Sequence, residues 1–400
     1  MAPLDGGRPS TQRIPVGESA SPEELPMHGN YIDGEWMPAR GGRTLPNRNP
    51  AHVDMVIGEF PDSTAADVAD GVAAATRALP GWRALSLPRR GEILFRVADL
   101  LSRRAHEVAE AITREQGKTL REARNEVAWS IGMLRFYAGE ALQPDGDVFP
   151  SFSPTTVIYT RSEPIGAVGL LTPWNFPLSV PVSKVAPALV YGNTVVLKPA
   201  ELTPYSAEIL VSMFAEAGVP AGVLNLVQGR GTVVGEAIVG HQQLAGVSFS
   251  GSSAVGRMIQ RRLAERNARV QLELGGKNSM IVLADADIER AVRWTVGGAM
   301  RMAGQKCTAT SRVIVQEQIL PEFMALLVAR VRALNVGDGL DPATDVGPVI
   351  SETQQARVLD YLHVGIQEGA EVLTGGDALD HGGYQEGYFV APTVFGNVQP

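Results

Sequence analysis

Between residues 65 and 142 the apolar positions recur at helical spacing. From residue 166 onward short apolar runs alternate with helical patterns. The first stretch predicts three helices. These are Ala65–Leu79; Pro88–Gln116, where Ile93, Leu94, Val97, Leu100, Leu101, Val108 and Ile112 fall at i, i+3, i+4; and Leu120–Leu142. The β-branched segment Thr155–Arg161 predicts a strand. Strands are then expected at Gly166–Leu171, Thr194–Leu197, Val223–Val227, Gly246–Phe249 and Val270–Leu274. Helices are expected between and after them at Leu178–Val190, Tyr205–Ala217, Thr232–Val239 and Ser253–Arg266. Such alternation implies an α/β fold, a parallel sheet with helices on both faces. A further round follows, with strands at Ser279–Leu283 and Arg312–Val315 and helices at Ile288–Met302, Pro321–Leu334 and Glu352–Glu368.

Composition narrows the function. The 400 residues carry 35 Lys plus Arg against 43 Asp plus Glu, a net charge of −8, which argues against nucleic acid as a partner. No run approaches the roughly 18 apolar residues of a membrane span. Residues 1–27 are polar and rich in Pro, Gly and Ser, so a mobile tail is expected there rather than a signal peptide. One cysteine and scattered histidines offer neither an intrachain disulfide nor a zinc cluster; no metal is expected, and a cytoplasmic setting is the simplest reading.

Open parallel sheets bind ligands beyond the carboxyl ends of their strands, so the residues just after each strand are the ones to search. Pro173-Trp-Asn-Phe-Pro follows one strand, and its bracketing prolines would make Asn175 a rigid amide donor to a developing oxyanion. Glu273 ends another strand ahead of Gly275-Gly276; a carboxylate in so apolar a stretch would suit a general base. Cys307 sits among Gln305, Lys306 and Thr308. A cysteine is ordinarily only a small hydrophobe, but these polar neighbours, with Lys306 favouring a thiolate, suit a nucleophile. Phe249-Ser-Gly-Ser joins a strand to a helix, so its free N–H groups could hold a pyrophosphate. Gly229-Arg-Gly-Thr-Val-Val-Gly is an imperfect dinucleotide fingerprint and weaker evidence. Lys198-Pro-Ala-Glu201 ends a further strand and could hold ribose hydroxyls. Together these suit covalent acyl chemistry coupled to hydride transfer.

At these residues the chain resembles the NAD(P)-dependent aldehyde dehydrogenase superfamily, from about Tyr31 to the last residue. The likeness rests on Pro173-Trp-Asn-Phe-Pro, Lys198-Pro-Ala-Glu, Phe249-Ser-Gly-Ser, Glu273-Leu-Gly-Gly-Lys and Gly304-Gln-Lys-Cys, in matching order and spacing. The resemblance implies two Rossmann-like parallel-sheet domains and a small β oligomerisation flap. Residues 28–141 and 164–275 would form the dinucleotide-binding domain, 142–163 the first part of the flap and 276–400 the catalytic domain. It implies Cys307 as nucleophile, Asn175 and the Cys307 N–H as oxyanion donors, Glu273 as base for the hydrolytic water, and Lys184 in a proton relay behind it. Cofactor contacts would come from Thr172, Trp174, Lys198, Glu201, Gly231, Gly251, Ser252, Gly256, Leu274 and Gly275. A carboxylate at the ribose 2′-hydroxyl repels a 2′-phosphate, so Glu201 implies NAD over NADP, loosely because Lys198 is near.

Gly304-Gln-Lys-Cys-Thr-Ala-Thr-Ser-Arg is most similar to bacterial 2-oxoglutarate semialdehyde (2,5-dioxopentanoate) dehydrogenases. A carboxylated substrate needs a cation, with Arg135, Arg301 and Lys306 as candidates. Succinate-semialdehyde, betaine-aldehyde and general aliphatic activities stay open. A CoA-acylating enzyme is disfavoured by Glu273, and a small alcohol dehydrogenase by the imperfect glycine fingerprint. The family pattern normally continues past Pro392–Phe395 to a Glu-Ile-Phe-Gly-Pro segment and the last flap strand. The chain is therefore expected to be a fragment, with a catalytically inactive piece as the rival reading and a homo-dimer or tetramer as the expected assembly at full length.

Overall fold

The computed structural model describes residues 28–399, so the expected tail over 1–27 lies outside the described residues. The chain enters through four strands the hydrophobic pattern does not announce: β1 (Asn30–Ile32), β2 (Glu35–Met37), β3 (Thr44–Asn49) and β4 (His52–Pro61). Two are only three residues long, and the β3–β4 ribbon carries polar residues such as buried Asn47 and Asn49. Neither feature yields a readable period of two.

Four helices follow. α1 (Ala65–Ala84) starts at a capping box in which Thr64 and Asp67 satisfy each other's backbone N–H. The single pattern over 88–116 is two helices, α2 (Leu87–Arg103) and α3 (Ala105–Gln116), broken at Arg104. No Pro or Gly marks the break, and the apolar stripe runs on through it, which is why spacing alone reads one helix. α4 (Leu120–Glu140) has its own capping box from Thr119 and Glu122. The expected strand over 155–161 shrinks to a two-residue ladder, β5 (Val148–Phe149) with β6 (Ile158–Tyr159). All four of those residues are exposed, so β-branched propensity meets no packing partner there.

The centre is a doubly wound unit: β7 (Ala167–Leu171), α5 (Ser179–Val190), β8 (Thr194–Lys198), α6 (Pro204–Glu216), β9 (Leu224–Leu226), α7 (Glu236–Gly240), β10 (Gly246–Gly251), α8 (Ser253–Ala264) and β11 (Arg269–Leu274). The expected helix over 232–239 opens instead with a π-turn at Gly231–Gly235 before α7. The seven-stranded sheet runs β11-β10-β7-β8-β9-β1-β2, parallel from β11 to β9, with β1 and β2 antiparallel at the edge. Its side chains divide with the pleat. Val168, Leu170, Val195 and Leu197 join the core under α2–α6, while Ala167, Leu171 and Val196 join the one under α1, α7 and α8. From β7 the order proceeds to β8 and β9 on one side and returns to β10 on the other. The carboxyl ends of β7 and β10 are therefore the topological switch point.

Beyond it, β12 (Asn278–Val282) pairs in parallel with β13 (Thr310–Val315), covered by α9 (Ile288–Ala299) and α10 (Leu320–Arg332) around Val282, Val292, Phe323 and Leu327. The expected helix over 288–302 ends early at Ala299, and a tight turn of Arg301–Gly304 follows. α11 (Glu352–Gln367) and the antiparallel pair β14 (Glu371–Thr374) and β15 (Val394–Gly396) complete the chain.

Candidate active site

A cleft of about 1670 Å³ opens at the switch point, between the central sheet and the β12–β13 unit. Its walls include Asn175, Lys184, Glu273 and Cys307, so all four predicted catalytic side chains meet there. Trp174, Gly251, Ser252, Leu274 and Gly275 line it too. Thr172, Lys198, Glu201, Gly231 and Gly256 do not line this cleft.

Asn175 lies in the loop between β7 and α5, where Pro173 and Pro177 restrict the backbone. Its Nδ2 donates to the carbonyl of Gln305 at 2.9 Å, tying this loop to the one that carries the cysteine. Cys307 is exposed, and its carbonyl accepts from Asn278 Nδ2 at 2.7 Å. Upstream, Met302 and Ala303 adopt left-handed φ of 56° and 51° ahead of Gly304. Met302 N–H is held by buried Glu122 at 3.0 Å, and Gln305 Oε1 accepts from Ile350 N at 3.1 Å.

Glu273 departs from the sequence expectation. It stands exposed on edge strand β11, so burial in apolar surroundings is not what prepares it as a base. Its Oε1 accepts instead from Gln271 Nε2 at 2.7 Å. Gln271 Oε1 in turn accepts from Lys184 Nζ at 3.1 Å, and Lys184 also donates to Ser248 Oγ at 2.6 Å. An unbroken hydrogen-bond chain thus joins Lys184 to Glu273. Burial pushes the Lys184 ammonium down to about 8, opposed by the charge of Glu273. Gln271 and Ser248 escaped the sequence reading. The signal for Gln271 was its place two residues before Glu273, on the same face of one strand.

The residues present fit a dinucleotide. α8 starts at Ser252, whose Oγ accepts from Val255 N, and Ser252–Ala254 line the cleft, which leaves a positive helix end facing it. A Cβ on Gly256 would sit 2.6 Å from Leu274 Cδ2, so a glycine there lets α8 lie close against the end of β11. Thr172 Oγ1, just beyond β7, is buried and has no hydrogen-bond partner among the described residues, a donor still to be used. Lys198 ends β8, is buried and holds Glu201 Oε2 at 3.2 Å; burial lowers its ammonium, opposed by Glu201.

Of the three cations weighed for a substrate carboxylate, only Lys306 reaches the cleft wall. Arg135 is exposed and pairs with Asp99 at 3.5 Å, and Arg301 is exposed outside the cleft. Half-buried Lys306 has its ammonium lowered by burial, opposed by Glu122. Lys277 and Arg357 also line the cleft and were not anticipated.

Fold and site define an α/β enzyme with a thiol set at the mouth of a nucleotide-binding switch point. The model of the aldehyde dehydrogenase family matches residues 36–400. An α-ketoglutaric semialdehyde dehydrogenase of Bacillus subtilis is 46% identical over 369 residues, 92% of this chain and 76% of that protein. A 2,5-dioxopentanoate dehydrogenase of Saccharolobus solfataricus is 40% identical over 366 residues, covering 91% and 75%. Among solved structures, betaine aldehyde dehydrogenase of Staphylococcus aureus in complex with NAD+ superposes with a TM-score of 0.91 at 34% identity, covering 93% of this chain and 74% of that one. The chain belongs to the aldehyde dehydrogenase family. No helix among the described residues is long and apolar enough to cross a membrane.

Proposed function

We propose that the chain oxidises a carboxylated semialdehyde, of the 2-oxoglutarate semialdehyde type, to the acid with NAD(P)+. The observation that carries this reading is the convergence of Asn175, Lys184, Glu273 and Cys307 on one cleft at the switch point. The two semialdehyde dehydrogenases among its relatives support the substrate class. Cys307 Sγ adds to the aldehyde carbon, and the carbonyl electron pair moves to the oxygen. Asn175 gives one N–H to Gln305 and turns the other to that oxyanion, together with the Cys307 N–H. The acceptor for the hydride leaving that carbon would be supplied by NAD(P)+ held along Trp174, Gly251 and Ser252. Glu273 then takes a proton from the water that attacks the thioester, and Cys307 leaves as thiolate. Gln271 donates to Glu273 and Lys184 donates to Gln271, so the two hold and orient that carboxylate from the interior side.

Trp174, Gly251, Leu274 and Gly275 would border the cofactor, Ser252 and the start of α8 its pyrophosphate, and Lys198 and Glu201 the adenosine ribose. Thr172, Gly231 and Gly256 complete that set. Residues 28–141 and 164–275 are read as the dinucleotide-binding domain, 142–163 as an oligomerisation flap and 276–400 as the catalytic domain. A cytoplasmic homo-dimer or tetramer fits the exposed Phe149, Phe152 and Tyr159 around β5 and β6. The test measures NADH and NADPH formation with 2-oxoglutarate semialdehyde, succinate semialdehyde, betaine aldehyde and an unbranched aliphatic aldehyde. Higher kcat/KM on the two carboxylated substrates supports the reading. Preference for betaine aldehyde or the aliphatic aldehyde refutes the substrate class.

A further inference from the structure

Three charged residues at i, i+4 spacing, Lys118, Glu122 and Glu126, lead into α4, a pattern that normally marks a solvated helix face. Here all three are buried. Lys118 Nζ pairs with Glu126 Oε2 at 2.5 Å, both side chains shut off from solvent, and lies 4.6 Å from the ring centroid of Phe176. Its remaining contact is with the chemistry: Nζ donates to the carbonyl of Asn175 at 2.7 Å. The other oxygen of Glu126, Oε1, accepts from Leu178 N at 3.0 Å and Ser179 N at 2.9 Å, where the Asn175 loop enters α5. One ion pair therefore grips the loop at Asn175 itself and again at its exit.

Burying two charges is costly, and the desolvation commonly cancels the attraction, so such a pair is weak evidence for stability. Its placement points to another use. We propose that Lys118 and Glu126 are positioning residues that aim the Asn175 amide at the oxyanion. The proposal rests on the reading of Asn175 as oxyanion donor. With the Asn175 carbonyl fixed by Lys118 and its side chain fixed by Gln305, neither the peptide plane nor the amide can swing. The entropy of orienting the donor is spent in folding rather than in the transition state.

Lys118→Met alone leaves a buried carboxylate and can fail to fold. The double variant Lys118→Met, Glu126→Gln removes the Asn175 tether and the charge while a side-chain oxygen stays for Leu178 and Ser179. Two readouts apply. One is the pre-steady-state NADH burst. The other, free of cofactor and turnover, is the concentration of semialdehyde that masks Cys307 from iodoacetamide through reversible addition. Loss of a whole oxyanion donor costs about 100- to 1000-fold in rate. Misaiming one should slow the burst about 10- to 100-fold and weaken masking several-fold, with NAD affinity and alkylation of the free thiol within about twofold. In an Asn175→Ala background the same pair of changes should cost less than about threefold, because their target is gone. A full multiplicative loss in that background, an unchanged burst and masking, or a parallel fall in NAD affinity and thiol reactivity would each overturn the proposal. If Asn175→Ala alone leaves both readouts intact, the oxyanion reading itself fails and takes the proposal with it.

Discussion

Lys184 is the residue whose environment makes the sharpest quantitative claim. Its ammonium is buried on α5 and, among the described residues, donates to two neutral oxygens, Ser248 Oγ and Gln271 Oε1, with Glu273 attracting it from further off. Burial brings its pKa from 10.5 to about 8. That is roughly a 300-fold weaker hold on the proton, or about 3 kcal/mol. The unfolded chain keeps this proton up to about 10.5 and the folded chain only to about 8, so between those values the unfolded state binds more protons and stability rises with pH. Below about 8 the whole penalty counts against the fold.

Lys184→Met removes the titration. It also removes two hydrogen bonds, but that loss is the same at every pH, on the order of 1–3 kcal/mol. The stability of the variant minus that of the parent should therefore be most favourable to the variant at pH 7 and decline by up to about 3 kcal/mol toward pH 10.5. Urea unfolding of both proteins at pH 7, 8, 9 and 10 reads this difference directly, since other titrating groups cancel. In parallel, the deacylation rate of the parent should bend near pH 8, where Lys184 loses its proton, and that limb should vanish in the variant. A stability difference flat across pH 7–10, with the limb near 8 still present after Lys184→Met, would refute both the buried charge and its support of Glu273 through Gln271.

The other predictions concern the remaining groups of the site and one buried carboxyl. Cys307→Ala should abolish NADH formation while fluorescence titration shows NAD still bound; near-normal turnover would remove Cys307 from the mechanism. Glu273→Gln should keep the first NADH burst and slow deacylation by about 100-fold or more; a lost burst with intact deacylation would reverse the assignment. Glu201→Gln should raise kcat/KM with NADP relative to NAD by about tenfold, the scale of one charge repulsion near a protein surface; an unchanged ratio would place the ribose elsewhere. Glu115, buried beneath α6, has its carboxyl pushed up to about 7 by burial, opposed by hydrogen bonds from Ser206, Asn47 and Tyr205. Its stabilising contribution is complete below about 4.5 and lost as pH rises through 7, so Glu115→Gln should flatten the urea midpoint between pH 5 and 8; an unchanged slope would contradict this.

The sheet that positions the site was legible because its strands are buried on both faces and read as bare apolar runs, Ala167–Leu171 and Thr194–Lys198 most clearly. The cleft residues were legible because an open parallel sheet puts chemistry just after its strands, and Asn175 and Glu273 lie there. What escaped did so for physical reasons. β1 and β2 are too short to show a period, and the break at Arg104 leaves the apolar stripe continuous. The exposure of Glu273 depends on β11 being an edge strand, which is a fact of strand order and not of local sequence. The inward face of Lys118, Glu122 and Glu126 could not be told from a solvated ladder, because spacing records which residues share a face and not where that face points.

That same inward stripe explains how a strained turn persists beside the nucleophile. Left-handed backbone at Met302 and Ala303 costs about 1–2 kcal/mol per residue, and neither is a glycine. Locally, the Met302 carbonyl accepts from Gln305 N at 3.1 Å and from Gln305 Nε2 at 3.0 Å. Further support comes from partners distant in sequence: Glu122 on the Met302 N–H, Asn175 on the Gln305 carbonyl and the Ile350 N–H on the Gln305 side chain. Each joins the cysteine loop to a different part of the chain, so the loop takes this shape only when α4, the Asn175 loop and the segment before α11 are all docked. The thiol loop is thus tied to α4 through Glu122 and the oxyanion amide through Lys118 and Glu126, so loosening Glu122 should reach the thiol, while loosening Lys118 and Glu126 should act on Asn175 and leave the free thiol's reactivity largely intact.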